Sequence, residues 1–558
     1  QEKINYQGGE YRVRKAGDIT EPLLNIAGIE DLLAAPGSDI LQQLLITYLP
    51  HQRWFGAKSK IIKAVEVLDS AQFSGLDAAL VLVQITYDDD STSTYQLPLA
   101  ITTGEDAARL RASDPAGIVA TLITPAGAAI LHDAVAREPI RQAILHLIET
   151  NGELRTGIGT LQGRRSSAFA AIRGADPLPG RVGSAEQSNT SILYGARLIM
   201  KLFRRLQSGE NPDTEIGRFL TESAQFARIA PFLGEITLRS RSGESTTIAM
   251  LQGLVENEGD GWQWTLDELS RFYDSVTTLP SPRDVGASPA FQAEKDSLAT
   301  GPIREHAGLY LEAAALLGRR TAEMHLALAT PTENPAFIAE SFTTSDLTAD
   351  ASRIDTQLAL SLEALERGMS RLIGVGAEHA ALVLGRRNDL FSRARAIASA
   401  APADFGQRIR IHGDYHLGQV LRSRGDYTIL DFEGEPARTL AARRAKQSPL
   451  KDVAGMLRSF SYGAYAALNA FAEGRPEEAK NLELWAGLWQ NAVSTEFLRA
   501  YGIAIDATNP HLIPQPPQAQ LLLHAYLLEK ALYELLYELD NRQTWVRIPL
   551  AGIVTLLQ

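Results

Sequence analysis

The stretch that decides the fold is "IHGDYHLGQV" at 411–420, continued by "LRSRGDYTILDFEGEP" at 421–436. Two histidines, one aspartate and one glutamine fall inside ten residues, between segments that read as strands. "VLR" and "YTILDF" carry the aliphatic and aromatic residues of strands, and "SRGD" between them carries turn chemistry, so a hairpin is predicted. That hairpin returns Asp431 toward Gln419 and Asp414. Three oxygen-bearing side chains then converge at one mouth.

Hard cations such as Mg2+ take carboxylate, amide and phosphate oxygens. An aspartate, an amide five residues on, and a second aspartate at the end of the return strand follow the order of a phosphotransfer loop. On that reading Asp414 accepts the proton of an attacking hydroxyl, while Gln419 and Asp431 hold the Mg2+ that neutralises the phosphates of ATP. The competing reading has Asp414 capping a turn and the histidines packing. It accounts for either histidine alone, not for the whole constellation.

A kinase makes further demands on the same chain. A strand lysine should reach the α- and β-phosphates, and a helical acid should hold it. "LIMKLF" supplies Lys201 in an otherwise apolar strand, and "NPDTEIGRF" supplies Glu215 on a segment with the Asn and Pro start signals of a helix. Alone, Lys201 reads as a lysine whose stem packs while its amine reaches water; the order Lys, Glu, Asp, Gln, Asp weakens that reading. No Walker sequence and no Gly-x-Gly-x-x-Gly turn precedes Lys201. "SAEQSNTSILYG" is therefore expected to cover the nucleotide, with Ser188, Asn189 and Thr190 contacting it. Gln252 to Val255 fall where a hinge meets adenine.

The bulk numbers leave room for this. At 558 residues, 45% hydrophobic and 22% charged, the chain is globular and too long for one core. A net charge of −12 with no basic block argues against nucleic acid. Cysteine is absent, which removes disulfides and thiol chemistry and fits a reducing compartment, here expected to be the cytoplasm. No apolar run is long enough to span a bilayer. The chain opens "QEKINYQGGE" without Met, as a processed or tagged end, or a cut from a longer polypeptide, would.

Residues 21–60 read as helix then loop. "AVEVLDSAQ", "ALVLVQITYD" and "STYQLPLAIT" read as a strand meander, and 127–150 as a helix. A Gly-, Arg- and Pro-rich passage at 163–183 is a candidate boundary. "SNTSILYG", "RLIMKLF", "EITLRS" and "TTIAMLQGLV" are predicted strands, and from Gly261 onward the pattern is helical apart from 409–432. The expected fold is α+β and bilobed, like a protein kinase. Its parts are a strand-rich cap subdomain at 1–150, a nucleotide-binding lobe at 151–260, and a helical lobe at 261–558 carrying the catalytic loop and acceptor site.

For the acceptor, Lys530, Glu534 and Glu538 step by four along the helix expected at 521–539, beside Tyr533 and Tyr537. This is either a sugar-binding stripe or a solvated face of i,i+4 ion pairs. Arg438 just past the metal loop, and His416 within it, are further candidates to touch substrate. Trp54 and Trp545 read as core anchors rather than sugar platforms.

"IHGDYHLGQVL", "ILDFEGEP" and "SPLKDVAGMLRSF" together resemble bacterial maltokinases, which share the kinase fold of the aminoglycoside phosphotransferases. "YLPHQRWFGAKSK" is similar to the start of that family's cap, and "LLEKALYELLYELDNRQTWVRIPL" to its C-terminal signature, so the resemblance spans nearly the whole chain. It implies transfer from Mg·ATP to the anomeric hydroxyl of maltose, feeding α-glucan synthesis. It matches Asp414 to the base and Gln419 and Asp431 to the metal ligands. Glu433 stands where most kinases have the Gly of Asp-Phe-Gly, adding a third carboxylate, and His412 supports the loop. A trehalose synthase, fused or associated, is the implied partner. Rival readings are a kinase for glucosamine or an aminoglycoside, a silent nucleotide-binding pseudokinase, and a metal-dependent hydrolase.

Overall fold

A computed structural model describes residues 3–6, 9–12, 26–183, 188–282, 301–399, 405–473 and 476–557. Contacts divide the chain into two compact units: Gln1–Glu222 with Pro231–Leu254, and Ser223–Ala230 with Val255–Gln558.

The first unit is built on two large antiparallel sheets, besides a separate two-stranded pair of Lys3–Tyr6 with Gly9–Arg12. One has the order Ile62–Gln72, Ala78–Tyr87, Thr92–Thr103, Gly127–Asp133, Ile118–Thr124, with the short strand Arg205–Leu206 added against Thr92–Thr103. Ala78–Tyr87 is buried along nearly its whole length. Its apolar run "ALVLV" is what a strand covered on both faces requires, in place of alternation. The other sheet has seven strands, in the order Gly180–Val182, Thr190–Tyr194, Leu198–Leu202, Ser245–Gly253, Phe232–Ser240, Gly159–Arg165, Glu153–Arg155. Met200, Met250, Leu251 and Phe232 lie in its core.

Two sequence expectations fail in this unit. Residues 127–150 are not one helix. Gly127–Asp133 is a strand paired with both Thr92–Thr103 and Ile118–Thr124, and the helix is only Glu138–Glu149. A short apolar run is ambiguous between the two states until its pairing partners are known, and Pro139 in the first turn marks where the helix begins. The passage 163–183, the candidate boundary, does not separate two parts either. It starts inside Gly159–Arg165 and ends in Gly180–Val182, two strands of the same sheet.

Among its described residues the second unit is built of helices, and its strands are the pairs Val420–Ser423 with Asp426–Ile429 and Glu340–Ser341 with Gln407–Arg408. Leu450–Ala472 is its most buried long helix. Gln518–Asn541 packs against both it and Thr344–Gly368. Among the described residues no helix is long and apolar enough to cross a membrane.

Gly455 brings Leu450–Ala472 against the loop that follows His412: a Cβ there would fall 2.6 Å from the Tyr415 carbonyl oxygen. Gly455→Ala is therefore expected to cost about 1–3 kcal/mol in a urea titration, the usual price of overpacking. Because Tyr415 must move, turnover should fall with it. Unchanged stability and turnover would mean the helix can simply shift away.

Candidate active site

In the second unit the loop after Ile411 is held by one buried carboxylate. Asp452 accepts from the backbone N–H of His412 at 2.8 Å and of Gly413 at 2.9 Å, and lies 3.1 Å from His325 Nε2. His325 Nδ1 lies 3.0 Å from the Tyr501 hydroxyl. Burial alone would raise the Asp452 carboxyl, but His325 and the loop outweigh it and hold it below the usual range. Gly413, at φ +83°, turns the chain so that Asp414 follows. His412 points inward: its ring packs on Tyr415 and Phe432, and its Nε2 is 2.8 Å from the Leu430 carbonyl, which can only accept.

The hairpin closes as a two-residue turn, with Arg424 and Gly425 at φ +53° and +76°. Three fixtures hold it. Arg320 forks onto Asp426 at 2.8 and 2.7 Å, Arg228 reaches the same carboxylate at 3.1 Å, and Arg422 lies between the rings of Trp264 and Tyr427 at 4.4 and 4.6 Å. At its mouth Gln419 and Asp431 meet, Nε2 donating to Oδ2 at 3.1 Å. Asp431 adopts φ +62°, a left-handed conformation uncommon for a residue with a side chain, though aspartate enters it more readily than most. Glu433 follows two residues later, its backbone carbonyl accepting from Arg443 at 3.0 Å. Asp431, Glu433 and Gln419 offer only oxygen as ligand atoms, which suits a hard cation.

Asp414 opens into a pocket of the second unit lined also by Glu435, Arg438, Lys451, Glu529, Lys530 and Tyr533. Its charges are interlocked. Lys530 Nζ lies 3.2 Å from Asp414 and 3.1 Å from Glu435; Arg438 lies 2.5 Å from Glu435 and 3.5 Å from Glu529; Lys451 and Arg353 lie 3.3 and 3.2 Å from Glu529. Burial works against the charge on Lys530, but Asp414 and Glu435 more than reverse it and raise it above its ordinary range. Burial would likewise raise Glu529, yet Lys451, Arg353 and Arg438 bring it down to about 2.

The stripe read from the sequence divides. Tyr533 lines the pocket, with Lys530 Nζ 5.2 Å from its ring. Glu534 instead meets Arg458 on Leu450–Ala472 at 2.9 and 2.7 Å. Tyr537, 48% exposed, stacks with Arg542. His416 accepts from the Gly418 N–H at 3.1 Å, and burial pushes its imidazole below the usual range, toward the neutral form that can accept. Glu534→Gln is accordingly expected to cost about 3 kcal/mol of stability by stranding buried Arg458, while the KM for the acceptor stays within about twofold. Denaturant unfolding beside steady-state kinetics checks both.

In the first unit Lys201, on Leu198–Leu202, pairs with Asp213 at 3.2 Å. Asp213 and Glu215 both lie buried on Pro212–Arg218, whose start is capped by Asn211 accepting from the Asp213 N–H at 2.8 Å. Arg218 and Arg164 clamp that helix to the sheet through buried Glu235 at 2.6 and 2.9 Å. Ser188 is exposed, Asn189 half-buried and Thr190 buried; residues 184–187 of the expected covering stretch lie outside the described residues. Gln252 lies one residue before the end of the strand Ser245–Gly253, paired with Ile199, and Val255 begins the longer segment of the second unit.

Sequence reasoning missed Asp213, Glu435, Glu529 and Asp452 as members of these clusters. The usable signal for Asp452 was an acid in the first turn of an apolar helix, in "PLKDVAGML". Nothing local marks the other three.

Residues 48–136 match the maltokinase N-terminal cap domain. The matched stretch holds the first sheet described above from Ile62 to Asp133, all but its short strand Arg205–Leu206. A glucosamine kinase of Streptacidiphilus jiangxiensis is 25% identical over 390 residues, 69% of this chain and 76% of that protein. A glucosamine kinase of Mycolicibacterium smegmatis is 24% identical over 419 residues, 75% of this chain and 88% of its own. The solved structure of a glucosamine kinase in complex with glucosamine, ADP and inorganic phosphate matches 93% of this chain and 99% of its own, with a TM-score of 0.61 at 18% identity. The fold is the α+β kinase-like fold expected from the sequence.

Proposed function

We propose that the chain is an ATP-dependent sugar kinase that phosphorylates maltose at its anomeric hydroxyl. The O1–H bond breaks as O1 attacks the γ-phosphorus; the proton passes to Asp414 and ADP leaves. Lys201, Glu215, Ser188, Asn189, Thr190, Gln252 and Val255 are the proposed nucleotide contacts. Gln419, Asp431 and Glu433 would hold Mg2+, whose charge offsets that of the phosphates. Lys530 orients the Asp414 carboxylate, and with Tyr533 it offers the sugar a donor and an aromatic face. Arg438 keeps Glu435 and Glu529 in place. On this reading the enzyme works in the cytoplasm, its product feeds α-glucan synthesis, and a trehalose synthase is its candidate partner. Support for that metabolic setting is the cap alone.

The observation that carries the neutral-sugar assignment is the Lys530 ammonium on Asp414. The pocket's charged lining is four acids (Asp414, Glu435, Asp452, Glu529) and four bases (Arg438, Arg443, Lys451, Lys530), so it carries no surplus charge for a cation. An amino sugar would bring a second ammonium toward Lys530. The matching cap favours maltose among neutral sugars.

Phosphorylation of glucosamine is the second reading, favoured by the two relatives of that name. A coupled ADP-release assay with Mg·ATP across maltose, glucose, glucosamine, trehalose and kanamycin, with phosphorus NMR of the product, separates them. A maltose-dependent signal with an anomeric phosphate is expected. Turnover with glucosamine alone would replace the acceptor, and silence despite ATP binding would point to a pseudokinase.

A further inference from the structure

The first unit contains a buried arginine that the proposed chemistry does not use. Arg204 is 1% exposed and stands three residues beyond Lys201. Its Nη2 lies 2.5 Å from Asp133 Oδ2, its guanidinium lies 4.7 Å from the ring centre of Trp54, and its Nε donates to the Thr190 hydroxyl at 2.8 Å. Asp133 and Trp54 both belong to the stretch matched by the maltokinase cap. Thr190 begins the strand that follows the proposed phosphate-covering segment, and in register it faces Leu202, beside Lys201 opposite Ser191. One side chain thus joins the cap to the two strands proposed to carry the nucleotide's phosphate contacts.

Stability alone is a poor reason for this arrangement. A buried ion pair gains little over well-packed apolar residues of the same volume, because both charges must be stripped of water. Here Nη1 also lacks a hydrogen-bond partner among the described residues, so the desolvation is incompletely offset. A second tie runs the same way. Gln96 of the cap donates Nε2 to the carbonyls of Phe203 and Ile248 at 2.7 and 2.6 Å, and its backbone N–H to the Arg204 carbonyl at 2.9 Å. Tyr95 and Thr94 pair with Arg205 and Leu206. The segment leaving Lys201 is therefore captured by cap backbone, cap amide and cap carboxylate at once.

We infer that Arg204 is a positioning residue through which the cap sets the phosphate-binding strands: Trp54 and Asp133 fix its guanidinium, and the guanidinium fixes Thr190. The Thr190 hydroxyl is then committed to Arg204, so the nucleotide contact proposed for Thr190 falls to its backbone, and the hydroxyl acts on nucleotide only indirectly, through the triphosphate and not the adenosine. This rests on the nucleotide reading above.

Titration calorimetry of the full chain with Mg·ATP and with adenosine tests it, using Thr190→Val, which removes only the hydroxyl contact, and Thr190→Ser, which keeps it. Thr190→Val is expected to weaken Mg·ATP about tenfold, within the usual range of coupling between linked sites, with adenosine unchanged and Thr190→Ser close to wild type. Equal losses for Mg·ATP and adenosine would reduce Arg204 to a packing role and overturn the inference. So would an unchanged Mg·ATP affinity. If wild type binds no nucleotide, the nucleotide reading fails first and takes the inference with it; if wild type binds and Thr190→Val binds as well, only the inference fails. Should Thr190→Val not fold, Asp133→Asn carries the same comparison from the cap side, with the same outcomes.

Discussion

Asp414→Asn is expected to lower turnover by about 10²–10⁴-fold, the range spanned by general-base contributions, while Mg·ATP binds with nearly its wild-type affinity. The amide keeps the size of the side chain and still accepts from Lys530, which in the wild type lies 3.2 Å from the carboxylate. What it loses is the capacity to take the acceptor's proton. The loss should therefore fall on kcat, with the KM for ATP little moved, since an interaction made only in the transition state affects turnover and not ground-state binding. Steady-state kinetics in the coupled assay, with calorimetry for Mg·ATP, separates the two quantities. Near-normal turnover would remove Asp414 as the base. A matching collapse of ATP affinity would mean that Asp414 serves the metal site, where Gln419 and Asp431 are proposed to act.

Parts of this arrangement were legible in the sequence because the chemistry is local. The hairpin is written in the turn letters of "RSRGDY", and once it closes, Gln419 and Asp431 must meet at its mouth. Lys201 stands out as one charge in an apolar strand, and Asn211-Pro212 announces the helix that carries Asp213 and Glu215. The rest depends on partners that sequence spacing does not reveal. Gly127–Asp133 is a strand only because two other strands lie beside it. Lys530 and Glu534 are one turn apart on the same helix, yet Arg458 on Leu450–Ala472 takes Glu534 while Lys530 is left for the pocket. The charge-balanced lining is assembled from Lys451, Glu529 and Arg438, residues from three separate segments. None of these pairings has a period to read, because each is a contact between distant segments.

The second large effect is expected at Asp452, which touches no proposed substrate. Asp452→Ala strands the N–H groups of His412 and Gly413 and a ring nitrogen of His325, all in a buried setting. Leaving buried donors without their charged acceptor should cost about 3–5 kcal/mol, read as a lower denaturant midpoint. The same loss frees the backbone immediately before Asp414. A displacement of about 1 Å at a reacting group costs on the order of 100-fold in rate, so kcat should fall in whatever fraction remains folded, with the KM for ATP less affected. The pH dependence gives the sign. The folded Asp452 carboxyl is held below its ordinary value, so its stabilisation is fully present above the unfolded carboxylate pKa of about 3.9 and is lost as pH falls through the lower folded value. The stability gap between wild type and Asp452→Asn should therefore hold constant from neutral pH down to about 5 and narrow only below about 4. A gap that instead closes between pH 6 and 7 would assign the linked proton to another group and not to the carboxylate.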